Sequence, residues 1–323
     1  MQKRFLLDFQ EGDAVTQMFL VSRSQLRTAS NGSSYIDIEL CDKSGKMSGK
    51  LWRATKELFD SFKPQDFVQV RGVVEKYRDY RQLRIDSIIP ARESAVDAAD
   101  FMPVTDKPIE PMLKAIKDAI ASVESEPLRM LLQAFFNDAL FCAKFCSAPA
   151  AVTYHHPYIG GLLEHTSSVL EMGLRLLDGR PELDRDLLVT GLILHDIGKI
   201  EEFEYDRALR YSDRGKLIGH LVIGSEMIRE RAAKIKDFPP HLLDLLLHLV
   251  LSHHGEYEFG SPRLPVTVEA VAVHHIDNLD AKINAFTQMR KVSADPEATW
   301  SDFSRMFQRE LYIRRPSDSP EGD

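Results

Sequence analysis

The hydrophobic period of this chain changes once along its length, and that change constrains the fold more than any other feature. Up to about residue 92 apolar residues alternate with polar ones, the two-residue repeat of strands with one buried face. From about residue 112 they recur every three and four residues, the repeat of amphipathic helices. Runs of strands followed by runs of helices call for two separate layers of packing, so a β unit precedes an α unit. Length agrees, because 323 residues predict two domains with a core large enough to need no covalent staples. The expected boundaries are 1–92 for the β domain, 93–111 for a linker of Ala, Asp and Pro with few large apolar groups, 112–313 for the helical domain, and 314–323 for a disordered tail containing Pro316, Pro320 and Gly322.

Within residues 1–92 the runs Met18 to Leu26 and Tyr35 to Leu40 lie between the turn signals Asn31-Gly32-Ser33-Ser34 and Asp42-Lys43-Ser44-Gly45, the pattern of strands joined by hairpin turns. A third strand from Lys46 to Trp52 precedes a short helical stretch, Thr55 to Phe62, and Asp66 to Tyr77 and Gln82 to Ile89 supply two more strands. Five strands with one helix between the third and fourth is the order of an OB-fold barrel, a frame that carries single-stranded nucleic acid on one face. The expected fold class is thus multidomain α and β, an N-terminal OB-fold β-barrel followed by an all-α domain. In the latter, helices are expected over Met112 to Val123, Leu128 to Phe145, His165 to Leu177, Asp186 to Leu194, His220 to Ala233, Pro240 to Ser252, Val266 to Met289 and Ser301 to Leu311.

Several classes of protein are excluded. A composition of 44% hydrophobic and 28% charged residues, with 16 Pro and 17 Gly, is neither collagen-like nor disordered, and no repeat period stands out. The apolar run Leu242 to Leu251 is broken by Asp244 and His248 well short of the roughly 18 residues a membrane span needs, and Met1 to Gln10 has no apolar signal core, so the expected location is cytoplasmic with no membrane partner. Three cysteines cannot all pair among themselves, and Cys142 and Cys146, one helical turn apart, lack a second pair to complete a zinc site; they read as reduced packing thiols. The net charge of −8 argues against a uniformly basic nucleic-acid coat. It is unevenly spread: of 41 Lys and Arg and 49 Asp and Glu, residues 1–92 hold 16 and 12, leaving 25 and 37 for the remainder.

Chemistry is written most sharply at His195-Asp196-Ile197-Gly198-Lys199, after the apolar run Leu187 to Leu194 that places it at the end of a buried helix. An imidazole nitrogen and a carboxylate that can bridge two ions suit a hard or borderline divalent metal such as Mn²⁺, Mg²⁺ or Fe²⁺. Alone the dipeptide is weak, since helix-end capping explains it equally well. His165, His220, His253, His254 and Asp277 each lie on or beside an expected helix, and helices can aim such ligands at one core position. Isolated structural histidines are the competing reading, and the recurrence beside apolar faces favours a metal cluster.

The series His165, His195-Asp196, His220, His253, Asp277 resembles the HD-domain superfamily of metal-dependent phosphohydrolases, in the longer version with extra histidines and two-metal sites; the resemblance covers most of residues 150–285. An OB-like barrel ahead of this domain, together with Gly215-Lys216-Leu217-Ile218-Gly219-His220 and Leu251-Ser252-His253-His254-Gly255-Glu256-Tyr257-Glu258-Phe259-Gly260-Ser261-Pro262, is similar to the YhaM-type 3′→5′ exoribonucleases. The resemblance implies an all-α HD domain, one metal held by His165, His195, Asp196 and Asp277, and a second held by His220 and His253 with Asp196 shared. His254 either completes the second metal, contacts a phosphate or points into the bundle. Two divalent ions are implied, Mn²⁺ foremost, with Mg²⁺, Fe²⁺ and Co²⁺ as alternatives. Asp196 and Lys199 are the expected catalytic groups, Lys199 one turn after the aspartate as a cation for a phosphate oxygen; a solvated helix-end charge is the plainer reading of Lys199.

Substrate contacts are expected around this core. The turn-rich Tyr154-His155-His156-Pro157-Tyr158-Ile159-Gly160-Gly161 enters the helix carrying His165, so His155 and His156 are candidate phosphate contacts, as are Arg214 and Lys216 ahead of His220; ordinary surface explains the loop equally well. Glu164 orients a ligand or is a surface charge, and His241 and His248 read as structural. In the barrel, Trp52, Tyr77 and Tyr80 interleaved with Arg53, Lys76, Arg78, Arg81 and Arg84 give the mixture that stacks bases and neutralises phosphates, against the ordinary fate of aromatics as core. The expected substrate is single-stranded RNA, with single-stranded DNA as a second polymer. A cyclic-dinucleotide or small-nucleotide phosphohydrolase is the competing enzyme, disfavoured by the absence of a Gly-Tyr-Pro signature after His254; a non-catalytic RNA-binding regulator is the competing class. A homo-oligomer is compatible with the helical domain, though no coiled-coil heptads specify one.

Overall fold

The computed structural model describes residues 4–29, 32–64, 66–77, 80–91, 100–102, 104–152, 156–205, 209–292, 299–301, 303–304 and 306–314. Most of the expected linker, the expected tail beyond Arg314, and the candidate contacts Arg78 and His155 lie outside the described residues. The chain divides into two compact units, Met1–Val104 with Glu204–Arg210, and Thr105–Phe203 with Tyr211–Asp323.

In the first unit, β1 (Ala14–Thr28), β2 (Ser34–Asp42), β3 (Gly45–Trp52), β4 (Phe67–Tyr77) and β5 (Tyr80–Pro90) close a barrel in the order β1-β2-β3-β5-β4, with the helix α1 (Lys56–Asp60) between β3 and β4. Neighbouring strands are antiparallel except β3 and β5, which run parallel. Alternation dictates the interior: Ile36, Ile38 and Leu40 of β2 point inward with Phe19, Val68, Val70 and Leu83 and are almost fully buried. Each such side chain contributes roughly 1.5–3 kcal/mol on leaving water. Closure leaves the barrel without the exposed edge that an open sheet presents.

The second unit is helical: α2 (Ile109–Ala121), α3 (Glu126–Phe136), α4 (Ala139–Ser147), α5 (Gly161–Leu177), α6 (Arg185–Leu194), α7 (Lys199–Glu202), α8 (Asp213–Ile218), α9 (His220–Ala232), α10 (Pro240–Ser252) and α11 (Val268–Val292). Between α7 and α8 the chain order includes two short strands, Phe203–Glu204 and Arg210–Tyr211, which pair with each other. Every residue of α6 from Leu187 to Leu194 is buried, because α5, α10 and α11 all pack on it. A helix apolar all round belongs at the centre of a bundle. Among the described residues no helix is long and apolar enough to cross a membrane.

Three expectations change in detail. The expected helix Leu128 to Phe145 is two helices, since the Asp138 carboxylate accepts the backbone N–H groups of Leu140 and Phe141 and starts a new one. Helix α2 starts at Ile109, ahead of the expected Met112, with Pro111 in its first turn where no N–H is needed. The expected helix Ser301 to Leu311 is instead a pair of bridges, Trp300 with Tyr312 and Ser304 with Arg309, turning through Gln308 at φ +53°. The left-handed backbone at Gln308 breaks a helix, and the Trp300 and Tyr312 rings, 5.4 Å apart, favour the paired arrangement.

Candidate metal centre

Helix ends deliver most of the centre. His195 caps the C-terminus of α6 with Asp196 next in the chain, His220 is the first residue of α9, His253 caps α10 with His254 following, His165 lies in the second turn of α5, and Asp277 lies on α11. Helix ends leave backbone groups to anchor ring nitrogens, and they let a side chain leave the helix axis at a steep angle. Gly198 is required by the same crowding: a Cβ there would lie 2.1 Å from the His220 carbonyl oxygen, so only glycine lets the turn before α7 touch the start of α9.

The ligand atoms form two clusters that share one carboxylate. In the first, His165 Nε2 is 3.1 Å from His195 Nε2 and 3.1 Å from Asp277 Oδ1, and Asp196 Oδ2 is 3.5 and 3.4 Å from the His165 and His195 nitrogens. In the second, His220 Nε2 is 3.2 Å from His254 Nε2, and Asp196 Oδ1 is 3.5 and 3.4 Å from the Nε2 atoms of His220 and His253. Each oxygen of Asp196 therefore faces one cluster.

Outward hydrogen bonds decide which ring nitrogen faces inward. His195 Nδ1 lies 2.9 Å from the Leu192 carbonyl, His253 Nδ1 2.8 Å from that of Val250, and His254 Nδ1 2.8 Å from that of Phe259. A carbonyl only accepts, so each of these Nδ1 atoms is the donor. His220 Nδ1 lies 2.9 Å from Glu202 Oε1, and His165 Nδ1 2.7 Å from Asp280 Oδ2. Fixing the tautomer through the outer nitrogen leaves Nε2 as the atom available to a metal.

Electrostatics distinguish the clusters. Burial works against a charge on His165, but Asp277 and Asp280 outweigh it and push the imidazole up to about 10. Burial, with His253 and His220 beside it, pulls His254 down to about 3, and burial also lowers His195. His254 thus faces the second cluster as a neutral ring. Asp196 stays ionised: burial opposes its charge, and Lys199 and His195 hold it well below the usual carboxylate range. Its Oδ1 is buried and accepts no hydrogen bond among the described residues. A buried, ionised oxygen without a hydrogen-bond donor is costly unless a cation lies beside it. The donor set, imidazole with carboxylate, suits a divalent metal.

The remaining expected residues fall in distinct places. Lys199 is buried with its Nζ 2.6 Å from Asp196 Oδ2, not solvated at a helix end. His156 is buried, bonded to Tyr158 Oη at 2.7 Å and to Asp280 Oδ2 at 3.1 Å, beneath the centre and not on a rim. Glu164 is buried too and accepts from Thr105, Tyr158 and Lys107. Arg214 is exposed and paired with Glu201 and Glu226, and Lys216 is exposed on α8. His274 bonds the His253 carbonyl and His248 accepts from the Val266 N–H, both structural contacts. In the barrel Trp52, Tyr77 and Tyr80 are exposed, whereas Arg81 donates to the carbonyls of Phe9 and Leu7. Lys50, which the sequence did not single out, lies 5.8 Å over the Trp52 ring and 5.1 Å over Tyr77.

Sequence reasoning also missed Asp280 and Glu202. Each stands three residues after a recognised site residue, Asp277 and Lys199, and so shares its helical face; that spacing was the available signal.

Comparison with known proteins follows the same division. A family model described as HD domain matches residues 162–282, and one described as OB-fold nucleic acid binding domain matches residues 20–91. Relatives named 3′-5′ exoribonuclease YhaM include those of Bacillus subtilis, 36% identical over 84% of this chain and 86% of the relative, and of Geobacillus sp., 36% identical over 86% of each. That of Listeria monocytogenes is 34% identical over 90% of this chain and 92% of its own length.

Proposed function

Since the chain belongs to the family of the 3′-5′ exoribonuclease YhaM, we infer that it is a metal-dependent hydrolase removing nucleotides from the 3′ end of single-stranded RNA, with single-stranded DNA as a second polymer. The observation that carries the reading is the buried Asp196 carboxylate, each oxygen of which faces a different cluster while Oδ1 accepts no hydrogen bond among the described residues. In this reading His165, His195, Asp196 and Asp277 hold one ion, and His220, His253 and His254 hold a second with Asp196 shared, Mn²⁺ being the expected metal.

Divalent ions bound there supply Lewis-acid polarisation of a phosphoryl oxygen and a water of lowered pKa. The protein's own groups do the positioning. Asp280 and Glu202 fix the rings of His165 and His220, so the ligand atoms need no rearrangement when substrate arrives. Lys199, held in the interior beside Asp196, places a fixed positive charge where the departing oxygen and the phosphate gather negative charge. Exposed Trp52 and Tyr77, with the Lys50 ammonium between them, offer base stacking of ~1–3 kcal/mol per base without sequence preference, as an enzyme that accepts every nucleotide requires.

The test is incubation of the purified protein with Mn²⁺ and 5′-labelled single-stranded RNA. A ladder shortened from the 3′ end is expected. Turnover confined to cyclic dinucleotides, or binding without cleavage, contradicts it.

A further inference from the structure

The turn that follows His254 is not explained by metal binding or by the core. Tyr257 and Phe259 lie in a single 3₁₀ turn with 64% and 59% of their surfaces exposed. Neither ring packs on another aromatic ring among the described residues. Two large rings that stay mostly in water gain little from burial, so core packing alone gives no reason for them.

Their backbone, by contrast, is fixed. The Phe259 carbonyl accepts from His254 Nδ1 at 2.8 Å, which puts the turn one hydrogen bond from a ring of the second cluster. Ser261 is buried and donates to the carbonyls of Leu251 and Arg263, and its own N–H bonds back to the Glu256 carbonyl. Gly255, at φ +79°, has no room for a Cβ, which would lie 2.1 Å from the His274 ring. Rigid backbone with exposed rings is the form of a preorganised stacking platform: little freedom is lost when a flat ligand settles on it. The charge beside the rings narrows the ligand further. Glu256 and Glu258 are exposed carboxylates that repel a phosphate backbone, so the turn suits an uncharged base and not the phosphates.

We propose that Tyr257 and Phe259 form the stacking subsite for the 3′-terminal nucleobase of the substrate, beside the centre at which its phosphodiester is cut. This rests on the exoribonuclease reading above. Because His254 is tied to Phe259, the platform and the second cluster are one rigid piece, and a stacked base is held in register with the ligand set.

The test is a cycle of protein and substrate changes. Wild type, Tyr257→Ala, Phe259→Ala and the double variant are assayed in Mn²⁺ on RNA ending in a normal 3′ nucleotide and on the same RNA ending in an abasic 3′ residue. For wild type the KM is expected to be roughly five- to 150-fold lower on the base-bearing end, the range that stacking of one base produces. The alanine variants close that gap, and Phe259→Trp, which keeps a ring, retains it. Both positions are exposed, so the variants keep the wild-type thermal melt. A gap unchanged in the double variant overturns the proposal. If wild type cuts neither RNA, the exoribonuclease reading fails separately. Binding then decides the subsite: quenching of a 3′-terminal 2-aminopurine by wild type and its loss in the double variant supports stacking, and equal fluorescence in both refutes it.

Discussion

Glu202 is where a single substitution separates the two clusters. Its Oε1 accepts both the backbone N–H of His220, at 3.0 Å, and His220 Nδ1, at 2.9 Å, so one buried oxygen caps α9 and sets the ring. Glu202→Ala leaves the Nδ1–H buried without an acceptor, at a cost of about 1–3 kcal/mol. It also removes the cap of α9, worth roughly 0.5–2 kcal/mol. Once its tautomer is free, His220 becomes a poorer ligand, and loss of such an orienting partner lowers metal affinity 10- to 100-fold. The assay is calorimetric titration of chelator-stripped protein with Mn²⁺. The affinity of one class of site falls by that factor while the class built on His165, His195 and Asp277 is unchanged. Glu202→Gln, which keeps the accepting oxygen, restores most of the affinity. Equal weakening of both classes, or no change in either, refutes the assignment of Glu202 as the orienting partner of one site.

Other outcomes follow from the same geometry. Gly198→Ala drives a Cβ to 2.1 Å from the His220 carbonyl oxygen, so α7 and α9 must part; denaturant unfolding registers lost stability and Mn²⁺ titration a weakened second site. Burial opposes the charge on Glu164, but the neighbouring His156 ring, the hydrogen bond from Thr105 and the Lys107 ammonium overcome it and hold the carboxyl down to about 2, against an ordinary 4.5. The folded state therefore binds this proton more weakly than the unfolded chain. The stabilisation is complete above about 4.5 and is lost as the pH falls toward about 2, and an acid titration of Glu164→Gln lacks that component. Trp52→Ala weakens RNA binding by ~1–3 kcal/mol, to a similar extent on every sequence, in a fluorescence titration.

The division into barrel and helices was legible because each follows from a local period: Ile36, Ile38 and Leu40 alternate, and Leu187 to Leu194 is apolar but for Thr190 and buried on every face. The residues of the centre were legible as types, since few soluble chains bring so many histidines beside apolar helices. Their outward partners were not. Asp280 meets His156 and His165 from 124 and 115 residues away, a contact that only tertiary packing creates. The same holds for His156, whose turn-rich surroundings suggest a surface while the fold buries it under Asp280. Ser301 to Leu311 misled for the opposite reason: its apolar spacing suits a helix, but Gln308 adopts a backbone that a helix cannot include.

The central claim is that Asp196 is shared by two ions. Anomalous scattering from crystals grown in Mn²⁺ tests it most directly. The account predicts two peaks roughly 3.5–4 Å apart, one beside Asp277 and one beside His254, with one Asp196 oxygen toward each. A single peak, or two that leave the Asp196 carboxylate to one side, contradicts it.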